Sequence, residues 1–300
     1  MQALFHHPPS PIQIFHHPIL EAQNLTCFIK RDDLLQLETQ AGDQAFCGNK
    51  WRKLKYNLSA AREQGYGTLL TFGGAFSNHI AATASAGKLF GFNTIGIIRG
   101  EKVEPLNPTL EFATSCEMKL HFWSREAYRR KDDPQVLAQL QEQFPQAYII
   151  PEGGTNALAL RGCAEIAEEL LAQEQLDYLC LSCGTGGTLA GVIQGLAGRA
   201  FALGFSALKG DFHKVEVQQL LSLNNPNNWA VATEYHFGGY AKTPPELLDF
   251  LVEMKKYNLP LEPIYTGKMM WGVLDKAKQG YFPSGSRIGV LHTGGMQGWR

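Results

Sequence analysis

The sequence predicts an α/β protein made of two three-layer α/β/α domains with mostly parallel sheets. Three observations carry that expectation. Strand-like and helix-like stretches alternate along nearly the whole chain, the strand stretches are short apolar runs, and glycine or polar turns separate them. Such alternation implies crossover connections, and those lay helices on both faces of a parallel sheet. With 300 residues, 44% hydrophobic and 18% charged, the chain has material for one large core or two ordinary ones.

The elements follow in order. Residues 1 to 20 are rich in proline and histidine, with His6, His7, His16 and His17 in two pairs. No acidic or thiol partner stands near these pairs to suggest a metal, so an irregular surface arm is expected. Residues 25 to 30 form a strand that Arg31, Asp32 and Asp33 end, and residues 34 to 47 form a loop. From 56 to 150 the pattern runs strand 68 to 72, helix 78 to 90, strand 94 to 98, helix 107 to 117, strand 120 to 123, helix 134 to 143 and strand 148 to 150. After Pro151-Glu152-Gly153-Gly154 it resumes with helix 158 to 172, strand 178 to 181, helix 188 to 197 and strand 201 to 205. Residues 209 to 245 have no clear period, with loops at 224 to 228 and at Pro244-Pro245. Helices 246 to 257 and 268 to 278 and strand 287 to 291 close the chain. The expected division is a larger domain of residues 1 to 55 with 151 to 300, and a smaller one of 56 to 150.

Charge excludes some partners. A formal net charge of -1 and no long Lys/Arg cluster give no attraction for nucleic acid or an anionic membrane. No apolar run spans a bilayer and the N-terminus lacks signal-peptide regions, so a cytoplasmic location is expected. The six cysteines are scattered, and only Cys180 and Cys183 form a CxxC. With no second pair and no nearby histidine, reduced thiols are expected and no metal site.

Three stretches carry chemistry. Gly48 and Asn49 end an extended run, so Lys50 falls where a loop enters a helix. The electropositive helix end disfavours its ammonium form, which suits a neutral amine in a Schiff base. The competing reading makes Lys50 a solvated cation on a basic helix face. Ser182-Cys183-Gly184-Thr185-Gly186-Gly187-Thr188 joins a buried strand to a helix. Its glycines, threonine hydroxyls and helix N-terminus suit a phosphate, although it matches neither a Walker loop nor GxGxxG. Gly73-Gly74-Ala75-Phe76-Ser77-Asn78-His79 also enters a helix. Ser77 fits a plain N-cap, and the same N-terminus could grip a carboxylate.

Together these stretches resemble the family of 1-aminocyclopropane-1-carboxylate deaminase and D-cysteine desulfhydrase, within the fold type II, tryptophan synthase beta-like, pyridoxal phosphate enzymes. The resemblance rests on Ile29 to Asp33, Gly48-Asn49-Lys50 with Arg52-Lys53-Leu54, Ser77-Asn78-His79, Pro151 to Asn156, Cys183 to Thr188, Glu262 to Lys268, and His292-Thr293-Gly294-Gly295. It implies pyridoxal 5'-phosphate as cofactor, held covalently by Lys50, with its phosphate on Thr185, Gly186, Gly187 and Thr188. Ser77 and the N-H groups of Asn78 and His79 would hold the substrate carboxylate, with the Asn78 side chain on the cofactor's 3'-oxygen. Tyr240 and Tyr265 would stand near the reacting carbons, and Thr266 or Thr293 would meet the pyridine nitrogen.

The implied activity is deamination of a small amino acid to a 2-oxo acid and ammonia by a homodimer. The deaminases carry a glutamate where this chain has Thr266, and a glutamine where it has His79. Both differences favour β-elimination in the manner of D-cysteine desulfhydrase over ring opening. Alternatives are the deaminase itself, a dehydratase or synthase of the same fold, and a phosphate-ligand-binding protein without Schiff-base chemistry.

Overall fold

The structure, a computed structural model, describes residues 8 to 35, 46 to 221 and 226 to 296. Its strands are β1 (Ile12–Phe15), β2 (Thr26–Arg31), β3 (Thr68–Gly74), β4 (Asn93–Arg99), β5 (Lys119–Trp123), β6 (Ala147–Ile150), β7 (Tyr178–Cys183), β8 (Phe201–Ser206), β9 (Trp229–Ala232) and β10 (Arg287–His292). Its helices are α1 (Pro18–Ala22), α2 (Gly48–Glu63), α3 (Asn78–Phe90), α4 (Pro108–Ser115), α5 (Arg125–Arg129), α6 (Pro134–Gln143), α7 (Ala157–Leu171), α8 (Gly187–Leu196), α9 (Phe212–Leu221), α10 (Pro245–Lys255) and α11 (Thr266–Lys278).

Two sheets result. One has six strands in the order β1-β2-β10-β7-β8-β9, and the other has four in the order β5-β4-β3-β6. Every pairing is parallel except β1 with β2. The two-residue period of a strand sorts the cores. Cys27, Ile29, Cys180 and Val290 pack with α1, α10 and α11 on one face of the large sheet. Phe28, Leu179, Leu181 and Leu291 pack with α7, α8 and α9 on the other. In the small sheet Leu69 and Ile98 face α2, α3 and α4, while Leu70, Phe72, Ile95 and Ile97 face α5 and α6. Each sheet is therefore the middle of three layers, as expected for α/β.

The same period disposes of the CxxC. Three positions apart on a strand is an odd step, so Cys180 and Cys183 point into opposite cores.

Three parts of the sequence reading are corrected. Residues 12 to 15 are not an irregular arm, because they pair antiparallel with β2 as an edge strand. Residues 18 to 22 continue as a helical turn whose N-cap is His17, its ring accepting from the Ile19 N-H. Residues 209 to 245 contain α9 and β9, where no element was expected. The loop expected at 34 to 47 lies mostly outside the described residues, as do His6, His7, Asn224 and Asn225.

Helix α2 crosses the expected boundary between residues 55 and 56. Its apolar side, Trp51, Leu54, Leu58 and Ala61, joins the core of the small sheet. Its opposite side meets α7 so closely that a Cβ on Gly162 would lie 1.9 Å from the Arg52 carbonyl oxygen. Beside that contact the buried Arg52 guanidinium pairs with Asp32 and Glu169, tying α2 to the turn that follows β2 and to α7. The helix that carries Lys50 is thereby fixed against both sheets.

Candidate active site

The carboxyl ends of β3, β4, β6, β7, β8 and β10 converge on one cavity of about 480 Å³, the usual position for a ligand in open parallel sheets. Lys50, Ser77, Asn78, His79, Thr185 and Gly186 line it, and so do Thr188, Tyr240, Tyr265 and Thr293. Ten of the twelve expected site residues therefore meet around one space. Gly187 and Thr266 are not on its wall.

Lys50 is placed by its neighbours. Gly48 has φ +61, and a Cβ there would lie 2.1 Å from the Thr293 carbonyl oxygen, so only glycine lets α2 begin against the end of β10. The Asn49 N-H donates to that same carbonyl at 3.3 Å, and its side chain donates to the Thr188 hydroxyl at 3.1 Å. Lys50 then projects from the first turn of α2. Burial, reinforced by repulsion from Lys53, pushes its ammonium down to about 7. A substantial share is the neutral amine near neutral pH.

The glycine turn is built for an anion. Gly186, at φ +72, is the N-cap of α8, and no side chain caps the first N-H groups of that helix. Gly187 serves from behind the wall. A Cβ there would lie 2.7 Å from the Thr155 hydroxyl and 3.0 Å from the Lys53 ammonium, so its bare Cα makes room for both. Lys53 donates to the Gly153 carbonyl at 2.9 Å and to Thr155 at 3.2 Å, and lies 3.5 Å from the Thr185 hydroxyl. Burial lowers its pKa too. The sequence reading gave Lys53 no role of its own. Its spacing of three from Lys50 puts it on the same helix face, and that signal could have found it.

Ser77 is the N-cap of α3, its hydroxyl accepting from the N-H groups of His79 at 3.2 Å and Ile80 at 3.4 Å. The His79 ring is 1% exposed. Thr71 donates its hydroxyl proton to the Ile150 carbonyl, so Nε2 of His79 must donate to Thr71 at 2.8 Å. Nδ1 is then a bare acceptor, and it has no partner among the described residues. Burial first, then Lys50 and Lys53, hold the ring well below its ordinary pKa. His79 is a neutral imidazole that ties the start of α3 to β3.

In the same cavity the rings of Tyr240 and Tyr265 meet edge to face, with centroids 6.2 Å apart. Burial, with Tyr240 and Glu262 adding to it, raises the Tyr265 phenol well above its ordinary range, so it carries its proton. Thr293 faces the cavity, whereas the buried Thr266 hydroxyl accepts from the Glu262 N-H at 3.0 Å. Among the described residues no group of histidine, cysteine, aspartate and glutamate is placed to hold a metal ion, and no helix is long and apolar enough to cross a membrane.

The family model for the pyridoxal-phosphate dependent enzyme matches residues 13–294. The chain belongs to that family. As a pyridoxal-phosphate dependent enzyme it is 31% identical over 320 aligned positions to the bifunctional D-cysteine desulfhydrase/1-aminocyclopropane-1-carboxylate deaminase, mitochondrial, of Arabidopsis thaliana, with 97% of this chain and 77% of that one covered. It is 28% identical over 292 positions to a D-cysteine desulfhydrase of Klebsiella pneumoniae subsp. pneumoniae, with 89% and 86% covered. Among solved structures it is similar to an ACC deaminase homologue, at TM-score 0.81 and 26% identity, over 98% of this chain and 91% of that one. The O-ureido-L-serine synthase, at TM-score 0.73 and 14% identity over 99% and 92%, shares the fold.

The residues fit the cofactor of the pyridoxal-phosphate dependent enzymes. An amine with a pKa of about 7, an uncapped helix N-terminus beside Thr185 and the Lys53 cation, and a cavity of about 480 Å³ between them match its aldehyde, its phosphate and its ring.

Proposed function

We propose that this enzyme eliminates a β-leaving group from a small amino acid and releases a 2-oxo acid and ammonia, with D-cysteine the first substrate to try. The observation that carries the reading is the meeting of the Lys50 amine, the Ser77 helix N-terminus and two tyrosines packed edge to face around one cavity. Pyridoxal phosphate supplies the electron sink when bound.

The chain's own groups do the rest. Thr185, Gly186 and Thr188 with the start of α8 hold the phosphate, Lys53 offsets its charge, and Gly187 leaves room behind. Lys50 holds the cofactor and moves the proton from the substrate's α carbon. Ser77 and the N-terminus of α3 orient the substrate carboxylate, and Asn78 lies beside them. Thr293, which lines the cavity where Thr266 does not, would be the threonine available to the ring nitrogen. Tyr265, protonated at working pH, donates to the departing thiolate, and Tyr240 closes the space around it. The Cβ–S bond breaks, sulfur leaves as sulfide, and hydrolysis of the remaining carbon skeleton gives pyruvate and ammonia.

The same reading takes residues 1 to 55 with 151 to 300 as the larger domain and 56 to 150 as the smaller, in a cytoplasmic homodimer. The relatives named as desulfhydrases and the bifunctional Arabidopsis protein support the substrate class. The test offers the holoenzyme D-cysteine, L-cysteine, D-serine and 1-aminocyclopropane-1-carboxylate separately and measures sulfide, pyruvate and 2-oxobutyrate. Sulfide with pyruvate from D-cysteine is the expected result. Dominant 2-oxobutyrate from the cyclopropane compound would overturn it in favour of the deaminase.

A further inference from the structure

Residues 236 to 242 make two successive turns. The Gly239 N-H donates to the His236 carbonyl at 3.0 Å, and the Lys242 N-H donates to the Gly239 carbonyl at 3.2 Å. Four positions within them are left-handed: Phe237 at φ 52, Gly238 at 91, Gly239 at 125 and Ala241 at 56. Two of the four, Phe237 and Ala241, carry side chains, which this region disfavours. A segment wound this way persists only where its surroundings over-determine it.

Helix α11 supplies that constraint. Its third residue, Lys268, is 1% exposed. The ammonium donates to the His236 carbonyl at 3.0 Å and to the Gly239 carbonyl at 2.8 Å. These are the two carbonyls that close the two turns, so one cation fastens both. Three residues further along, Trp271 packs edge to face on Phe237 with centroids 5.3 Å apart. The fastened segment carries Tyr240 to its place 6.2 Å from Tyr265, the residue just before α11. One helix thus presents Tyr265 directly and holds Tyr240 through Lys268. Glu262, which caps the same helix, supplies the nearby negative charge.

We propose that Lys268 is a positioning residue of the reaction, fixing the Tyr240 phenol against Tyr265 by bonding the carbonyls of His236 and Gly239. The role of Tyr240 rests on the function proposed above, whereas the fastening of the loop does not. Lys268 lies outside the cavity wall and touches no substrate, so its effect passes through Tyr240.

Two measurements on the holoenzyme test this. The first is a double-mutant cycle of Lys268→Met and Tyr240→Phe with D-cysteine. Each single variant is expected to lose about 10- to 100-fold in kcat with a smaller change in KM, and the double variant to be no worse than the poorer single one. Losses that multiply, or a Lys268→Met kcat within about twofold of wild type, overturn the proposal. The second is the rate of tryptic cleavage after the exposed Lys242 in the absence of substrate, expected to rise about tenfold in Lys268→Met. Equal rates in the two proteins sink the fastening. If D-cysteine is not turned over by wild type, the function reading fails while the cleavage rates still decide the loop. Should Lys268→Met not fold, Lys268→Gln, which keeps a donor for one carbonyl, carries both measurements.

Discussion

The Thr266 hydroxyl and the Glu262 carboxylate lie 3.2 Å apart in the buried start of α11. That carboxylate also accepts the N-H groups of Ile264, Tyr265 and Thr266 at 2.7, 2.8 and 2.6 Å. It satisfies donors that the first turn of a helix otherwise leaves open. Thr266 is thereby committed to its own helix, and the threonine that faces the cavity is Thr293.

Thr266→Val should therefore cost stability and leave the visible absorption of the bound cofactor unchanged. Loss of its bonds to Glu262 is expected to lower unfolding free energy by about 1–3 kcal/mol. Thr293→Val should do the reverse, shifting the absorption with little change in melting temperature. A spectral shift in the first variant and none in the second would reverse the two assignments.

Lys53→Met should weaken binding of pyridoxal phosphate by about 10- to 100-fold, the value of a charge-assisted hydrogen bond to an anion. Equilibrium dialysis of the apoprotein measures it. Removing Lys53 also removes the like charge that lowers the Lys50 pKa, so the Lys50 amine should titrate higher in this variant.

Reaction of the apoprotein with pyridoxal phosphate requires the unprotonated Lys50 amine. The Lys50 pKa is lowered from 10.5 to about 7, so the rate of colour formation should climb through pH 7 and level off about one unit higher. A midpoint near the ordinary lysine value would contradict the burial argument. The sign for stability follows from the same shift. Between about 7 and 10.5 the unfolded chain binds more protons than the folded one, so the Lys50 contribution to stability rises with pH across that window. Lys50→Met should accordingly gain most over wild type below pH 7, and the gain should shrink toward pH 10.5. Denaturant titrations at several pH values measure it.

Gly162→Ala should be among the most destabilising single changes in the chain. Its new Cβ would stand 1.9 Å from the Arg52 carbonyl, backbone against backbone, where no side chain can move aside. Forcing α7 from α2 is expected to cost about 3 kcal/mol or more. Because α2 carries Lys50, any protein that still folds should lose cofactor affinity as well, and a melt with and without pyridoxal phosphate shows both effects.

Much of this was legible in the residues, and the exceptions have physical causes. Helix α3 was expected at 78 to 90 and occupies that span, since Ser77 is a strong N-cap and Gly91 a left-handed C-cap at φ 68. Strand β1 was missed because it is a four-residue edge strand with only Phe15 buried, leaving no alternation to read. Helix α9 was missed because only His213, Val217 and Leu221 are buried on it, a thin stripe in a segment bounded by loops. Its purpose is tertiary: Val217 packs beneath Gly186, where a Cβ would stand 2.9 Å away. In the site, motif positions located the wall, but which threonine faces inward depends on the turn at Glu262, and spacing does not encode that.

The strand order has a consequence for how the chain assembles during synthesis. Strand β10 lies between β2 and β7 in the large sheet, pairing with both, yet it follows every other described strand in the sequence. Until it leaves the ribosome β2 has only the short β1 beside it, and Lys30, 0% exposed in the finished protein, has no complete sheet to bury it. The four strands of the small sheet are contiguous in sequence and need no such wait. A ribosome-bound chain stopped before residue 287 should therefore hold a formed small sheet and an open large one, a species exposed to aggregation or to a chaperone.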